Sequence, residues 1–209
     1  MDGERDAGGQ RGVRIAAEGL IIFAGVMAAF LVEGYRDDLQ DRERLEQATA
    51  GIITEMTHYT TRSREHADSI TARIEEWRAA DRAGRRAVPG YYRIPGAPHP
   101  PTAAWDAAVA SGVASLFDPE LRLDLGYFYN EFVGVHENYR RYLDFAEREI
   151  LPRAEVGPAE FYDASGEIRP EFRAYMSLFE EFAGDLRALA AAANELRLQL
   201  EAERGDGAG

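Results

Sequence analysis

Hydrophobic positions divide the chain into an apolar N-terminal run and three long amphipathic segments. The run from Leu20 to Val32 contains no charged residue, and extending it back to Ile15 adds only Glu18 and Gly19 as interruptions. As a helix, residues 15–32 are about 27 Å long at about 1.5 Å per residue, close to the thickness of the bilayer hydrocarbon. The pattern predicts an N-terminal tail over residues 1–14 and a transmembrane helix over residues 15–33.

Two alternatives to a membrane span are a buried helix of a soluble protein and a cleaved signal peptide. A signal peptide ends at a small-x-small cleavage site, whereas Val32 runs straight into a charged helical pattern. The flanking arginines set the expected orientation only weakly, because three precede the span and three follow it closely. Since Arg14 directly abuts the span, we expect a bacterial inner-membrane protein with a cytoplasmic N-terminus and a periplasmic C-terminal domain.

The predicted span carries one carboxylate and several small residues. Glu18 can lie at the headgroup level and pair with Arg14, or it can face a neighbouring helix together with the small residues. Gly25 and Ala29 form a small-x-x-x-small pair, and so do Ala24 and Ala28. We therefore predict a partner-binding face that contains Glu18, Gly25, Ala28 and Ala29.

After the span, apolar residues recur at spacings of three and four, which is typical of amphipathic helices. Helices are predicted from about Gly34 to about Arg82, from Pro119 to the residue before Pro152, and from Pro170 onwards, with a short helix capped by Thr102. The last helix keeps a heptad seam, through which a homo-oligomer can also form. The predicted fold is all-α, with the transmembrane helix continuing into a long helix of an antiparallel three- to four-helix bundle over residues 34–204. Residues 205–209 are expected to fray.

Residues 83–101 form a proline-rich loop between the first two long helices. They contain five of the nine prolines and three glycines, which is incompatible with regular structure. Long loops often carry function, so Tyr91, Tyr92 and Ile94 are predicted to form a partner-binding surface. The alternative is a plain connection whose tyrosines pack down on the bundle.

Charge and residue types narrow the chemistry. The net charge is −13, and every basic residue is an arginine in isolated positions or pairs, which argues against nucleic-acid binding. The absence of cysteine excludes thiolate chemistry and disulfides. Glu55-x-x-His58 is half of a di-iron motif without its second half. With no phosphate-binding, dinucleotide or nucleophile motif in the sequence, we predict no metal, no cofactor and no enzymatic activity.

The chain resembles a broad set of small bacterial single-pass membrane proteins of unknown function. The likeness covers about residues 14–145 and includes the run Glu18-Gly19-Leu20-Ile21-Ile22-Phe23-Ala24-Gly25-Val26, the helix start Gly34-Tyr35-Arg36-Asp37-Asp38, and Thr102-Ala103-Ala104-Trp105-Asp106. The resemblance implies a membrane anchor and a helical domain. It implies no activity.

Two functions follow as expectations. The first is a non-catalytic accessory or scaffolding subunit of a larger bacterial membrane complex, of respiratory or photosynthetic type, whose partners are the lipid bilayer and other membrane subunits. The alternative is a membrane-anchored sensor or ligand-binding domain, with a pocket lined by Tyr139, Tyr142 and Phe179.

Overall fold

The computed structural model is all-helical, which confirms the predicted fold class. It describes residues 5–94 and 101–206, with the side chains of residues 23, 25–94 and 101–205. The helices are α1 (Arg5–Arg82), α2 (Ala103–Ala110), α3 (Pro119–Phe145), α4 (Leu151–Val156) and α5 (Pro170–Asp206). Short 3-10 turns cover Val113–Leu116 and Pro158–Phe161. The described ranges contain no strand, only an isolated antiparallel bridge between Tyr162 and Ile168.

The chain divides into two compact units, Met1–Glu46 and Gln47–Gly209. In the first unit, the helical backbone begins at Arg5 rather than after the predicted tail of residues 1–14. Among the residues whose side chains are described, no helical stretch combines the length and apolarity needed to cross a bilayer. The side chains of residues 15–22 and of Ala24, which belong to the predicted span, lie outside the described residues.

The second unit is built around the apolar stripes of α1, α3 and α5. The predicted heptad positions become the core because each helix turns its three-four stripe towards the other two. The largest fully buried side chains include Ile52, Met56 and Ile70 on α1, Leu125 on α3, and Phe172, Phe179, Leu189 and Leu200 on α5.

Contacts between the helices define their directions. Going along α1, Thr60 lies at Ala190 of α5 and Arg78 at Glu180, so these two helices are antiparallel. Helices α3 and α5 are also antiparallel, because the ring of Tyr139 stacks on Phe182 while Phe145, further along α3, contacts Phe172.

Helices α1 and α3 run in the same direction, which departs from the predicted antiparallel bundle. Glu55 of α1 bonds to Tyr129 of α3, and Tyr59, one turn on, contacts Phe132 three residues further along α3. The physical reason is the connection. The proline-rich segment and α2 return along the bundle before α3 begins, so α3 starts beside the early part of the domain rather than beside Arg82.

The predicted start and the predicted end of the second long helix have different outcomes. Helix α3 begins at Pro119 as predicted, and Asp118 caps it by accepting from the backbone N–H of Glu120 at 2.8 Å. Pro152 does not end the helix, however. Because proline lacks an N–H, the helix widens into a π-turn over Ala146–Ile150, closed by the Leu151 N–H on the carbonyl of Ala146, and then continues as α4.

The C-terminal helix also outlasts its predicted end. Helix α5 reaches Asp206 instead of fraying from Gly205, and residues 207–209 lie outside the described part of the chain.

The core predicts a large difference between two leucines of α5. Leu189 is 2% exposed, whereas Leu198 is 52% exposed. Leu189→Ala should lower the free energy of unfolding by about 2–5 kcal/mol, because it leaves a cavity in the core. Leu198→Ala should change it by less than about 0.5 kcal/mol. Urea titration followed by circular dichroism measures both, and equal effects would contradict the packing of α5.

Candidate functional site

Residues 83–94 follow the surface of the bundle in an extended path back along α1. The N–H of Arg85 bonds to the carbonyl of Ala80 at the end of α1. Further on, the segment reaches Arg73, because a Cβ built on Gly90 would stand 3.3 Å from the Arg73 Cβ. Glycine is thus required for this close approach, and Pro89 beside it is fully buried.

Tyrosine hydroxyls from the bundle satisfy the backbone of this segment. The N–H of Tyr92 donates to the hydroxyl of Tyr142 at 2.9 Å, and the N–H of Ile94 donates to the hydroxyl of Tyr139 at 2.7 Å. Near the other end, the hydroxyl of Tyr162 accepts from the Ala87 N–H at 3.0 Å and donates to its carbonyl at 3.1 Å. The segment is therefore fixed at three places without secondary structure of its own.

The predicted partner-binding residues of the loop divide into two kinds. Tyr92 and Ile94 are half-buried and pack against the core of the domain. The hydroxyl of Tyr92 is hydrogen-bonded to Nδ1 of His66 at 2.9 Å. Only Tyr91, at 38% exposure, presents its ring to the surface. A connection packed down on the bundle, the alternative drawn from the sequence, describes Tyr92 and Ile94 better than a free contact surface does.

The aromatic residues under the segment are stacked on one another. The ring of Tyr142 lies 4.7 Å from that of Phe179 and 5.0 Å from that of Tyr175, centroid to centroid and nearly parallel. Tyr175 donates a hydrogen bond to the hydroxyl of Tyr142 at 2.8 Å. Tyr139, Tyr142 and Phe179 are the residues predicted to line a ligand pocket. In the structure their side chains contact each other, and the 83–94 segment covers the two tyrosines.

Burial governs the protonation of these phenols. It raises the pKa of Tyr142 and of Tyr175 well above the usual range. The hydrogen bond between the two hydroxyls lowers the pKa of Tyr142, the acceptor, and raises the pKa of Tyr175, the donor. Burial also raises the pKa of Tyr139. The three tyrosines are neutral at physiological pH, and their hydroxyls serve here as hydrogen-bonding groups.

Glu55 occupies the junction of α1, α2 and α3. One carboxylate oxygen accepts from the backbone N–H of Ala104 at 2.7 Å, and the other accepts from the hydroxyl of Tyr129 at 2.9 Å. The ring of Tyr129 stacks on Trp105 at 5.5 Å. Glu55, instead of Thr102, therefore caps the first turn of α2.

This arrangement gives Glu55 a structural role in place of half a metal site. His58 is exposed, and the carboxylate of Glu55 is already used twice. Within residues 5–94 and 101–206, no group of three or more potential ligands is arranged to hold a metal ion. Thr102 instead donates its hydroxyl proton to Asp106 at 2.7 Å.

The predicted membrane-helix face is only partly described. Gly25, Ala28 and Ala29 are exposed, and a Cβ on Gly25 would meet nothing within 4 Å. The side chain of Glu18 lies outside the described residues. Large apolar side chains around this face are also exposed: Phe23, Val26, Met27, Phe30, Leu31 and Val32.

Sequence reasoning missed the tethering tyrosines. Tyr139 and Tyr142 lie on α3, and the sequence predicts them as the lining of a ligand pocket rather than as tethers. The available signal was the residue type, because a buried tyrosine hydroxyl normally needs a hydrogen-bond partner. The partner itself, a backbone N–H at least 45 residues away, could not be read from the sequence.

Comparisons with protein-family models, curated proteins and solved structures found no match to this chain.

Removing one tethering hydroxyl should loosen the 83–94 segment. Tyr142→Phe leaves the Tyr92 N–H without its acceptor, which should lower the free energy of unfolding by about 1–3 kcal/mol and speed hydrogen exchange at Tyr92. Tyr59 provides the control, because its buried hydroxyl has no partner in hydrogen-bonding geometry among the described residues, although Ser63 lies close enough to lower its pKa. Tyr59→Phe should be neutral or stabilising. Unchanged exchange at Tyr92 in the Tyr142 variant would contradict the tether.

The His66–Tyr92 bond predicts a pH dependence. Burial lowers the pKa of His66, the charge of Arg62 lowers it further, and Glu65 opposes this. As the pH falls, the unfolded chain, with an ordinary histidine pKa of about 6.5, binds a proton at a higher pH than the folded chain does. The contribution of His66 to stability is therefore present above that pH and is lost as the pH falls through the lower folded pKa.

The measurement is the free energy of unfolding of the unaltered protein and of His66→Gln at about pH 8 and about pH 5. We expect the unaltered protein to lose more stability on acidification than the variant does. His58→Gln, at an exposed position of the same helix, should follow the unaltered protein. Identical pH profiles for the unaltered protein and His66→Gln would refute this role.

Proposed function

We propose that this chain is a non-catalytic accessory or scaffolding subunit of a larger bacterial membrane complex, of respiratory or photosynthetic type. In this proposal residues 15–33 anchor it as a transmembrane helix in the inner membrane, with the N-terminus cytoplasmic and the helical domain periplasmic. The observation that carries the proposal is the apolar run at residues 23 and 25–32, whose side chains are exposed.

The exposed run needs an apolar environment. Phe23, Val26, Met27, Phe30 and Leu31 share one face of the helix and are 44–71% exposed, and Val32 on the opposite face is 60% exposed. Covering apolar surface is favourable by roughly 25 cal/mol per Å², and contiguous apolar patches on soluble monomers are small. Lipid acyl chains and the helices of a membrane complex provide such an environment on all sides of one helix.

The small-residue face supports lateral docking within that environment. A neighbouring helix can approach closely at Gly25, Ala28 and Ala29, since these residues place little between the two backbones. In the proposal, Glu18 supplies a polar contact on the same face. The resemblance to small single-pass bacterial proteins supports the same arrangement and adds no activity.

A non-catalytic role agrees with how the polar groups of the domain are used. Glu55 bonds to a backbone N–H and a phenol, and Tyr142 bonds to a backbone N–H and Tyr175. These groups bind one another and hold the fold. The proposal therefore assigns the domain to contacts with partner proteins.

Anchoring and docking can be tested separately with the tagged full chain in its native membranes. The protein should stay in the membrane pellet after alkaline carbonate extraction and should co-purify with the same membrane subunits after gentle detergent extraction. Gly25→Leu with Ala29→Leu should leave the protein in the pellet but reduce the recovery of partners by about tenfold, or roughly 1.4 kcal/mol of association.

Met27→Leu is the matched control, because it conserves volume on the opposite side of the helix. It should change neither pelleting nor recovery. Release of the unaltered protein by carbonate would disprove the anchor. Purification of the unaltered protein alone, as a monomer, would disprove the accessory role.

A further inference from the structure

The 83–94 segment is basic on an acidic protein. It contains Arg85, Arg86 and Arg93 and no aspartate or glutamate, whereas the whole chain carries a net charge of −13. Arg86 lies over the ring of Tyr162, 6.0 Å from its centroid. The segment is therefore locally basic, and Arg73 of α1 lies next to it at Gly90.

None of the four arginines of this surface has an ionic partner among the described residues. Arg73 and Arg93 are exposed, and neither makes an ion pair there. Other arginines of the domain do so with nearby carboxylates, namely Arg78 with Glu180, Arg187 with Asp68, and Arg197 with Glu201. Arg73 and Arg93 are thus left with unused hydrogen-bonding capacity.

The two guanidinium groups act electrostatically on one pair of neighbouring tyrosines. Arg93 partly offsets the rise in the pKa of Tyr139, and Arg73 does the same for the pKa of Tyr142. The two rings lie 6.3 Å apart. Of the nearby acids, Glu147 acts on Tyr139 and Glu65 acts on His66, but neither forms an ion pair with Arg73 or Arg93 within the described residues.

Tyr91 completes the surface. It lies in sequence between Gly90, which abuts Arg73, and Arg93. Its ring is partly exposed, and its hydroxyl makes no hydrogen bond to any described residue. The backbone on either side is held at Ala87, Tyr92 and Ile94. Tyrosine and arginine dominate binding hot spots, and a segment already fixed in place loses little conformational entropy on binding.

We propose that Arg73, Tyr91 and Arg93 form a docking site for an acidic segment of a partner protein. Guanidinium groups bind carboxylates through paired, charge-assisted hydrogen bonds. A nucleic acid would be repelled by the net charge of the chain, and anionic lipid surfaces are recognised by denser clusters of basic residues. The inference rests on the proposed function as an interaction subunit and names the chemistry of its partner.

The experiment places a photo-cross-linker on the site in the full chain. Tyr91→p-benzoylphenylalanine is expressed in native membranes and irradiated, and the cross-linked peptide is identified by mass spectrometry. We expect a segment rich in aspartate and glutamate from one partner protein. Adding Arg73→Glu and Arg93→Glu should reduce its yield by at least about tenfold, since like charges then face each other.

Arg64→Glu with Arg122→Glu is the matched control, because it makes the same charge change at exposed arginines. Arg64 lies about half a helical turn around α1 from Arg73. The control should leave the cross-link unchanged. Urea titration of both double variants should show unaltered folding, since all four arginines are exposed.

Four outcomes would overturn the inference: cross-links to lipid only, cross-links to another copy of this chain, no cross-link, or a yield insensitive to the reversal at Arg73 and Arg93. If partners still co-purify with the unaltered chain in these cases, the accessory role stands and only the acidic docking site is wrong. If nothing co-purifies, the proposed function itself is wrong.

Discussion

The backbone of the 83–94 segment must find hydrogen-bond partners outside itself, and much of the domain is arranged around that need. Proline and glycine prevent the segment from forming a helix, yet buried N–H groups left unpaired cost about 1–3 kcal/mol each. Tyrosines of α3 and Tyr162 supply the partners. Because their rings also fill the core, one set of side chains joins the connection to the helices.

The direction of the helices follows from the same connection. Helix α3 can run parallel to α1 only because the chain first travels back along the bundle. The return includes α2, whose first turn is held by Glu55 of α1. Because of this return, α2 and the first half of α3 lie beside the same part of α1, so Glu55 can bond to both Ala104 and Tyr129.

Periodicity predicted the helices and the core but not these long-range features. A three-four repeat identifies the buried face of a helix, as at Ile52, Leu125 and Leu189, and is the same whichever direction the neighbour runs. Likewise, Asp118 caps its own helix and was predictable, whereas the cap of α2 comes from a residue 49 positions away. Pro152 was expected to stop a helix, but a wider turn absorbs its missing N–H.

For the candidate surfaces, too, the sequence predicted the segment involved but not the long-range contacts that decide which side chains are exposed. Composition singled out the proline-rich loop and its tyrosines as an irregular segment, and residues 83–94 form no helix or strand. It could not separate Tyr91 from Tyr92, because neighbouring residues of an extended chain face opposite ways and only the fold decides which side is buried. The sequence could not single out Arg73 and Arg93 from the other arginines. They differ from Arg78, Arg187 and Arg197 in having no ionic partner within the described residues, which the structure shows.

The tethers of the 83–94 segment also bear on the order in which the chain can fold. They join residues 45 to 75 positions apart, and contacts that close such long loops form late. During synthesis, the segment emerges before the tyrosines that bind it exist. Its backbone must stay hydrated until α3 and the turn around Tyr162 have been made, so docking of the segment cannot be the first step in the folding of the domain.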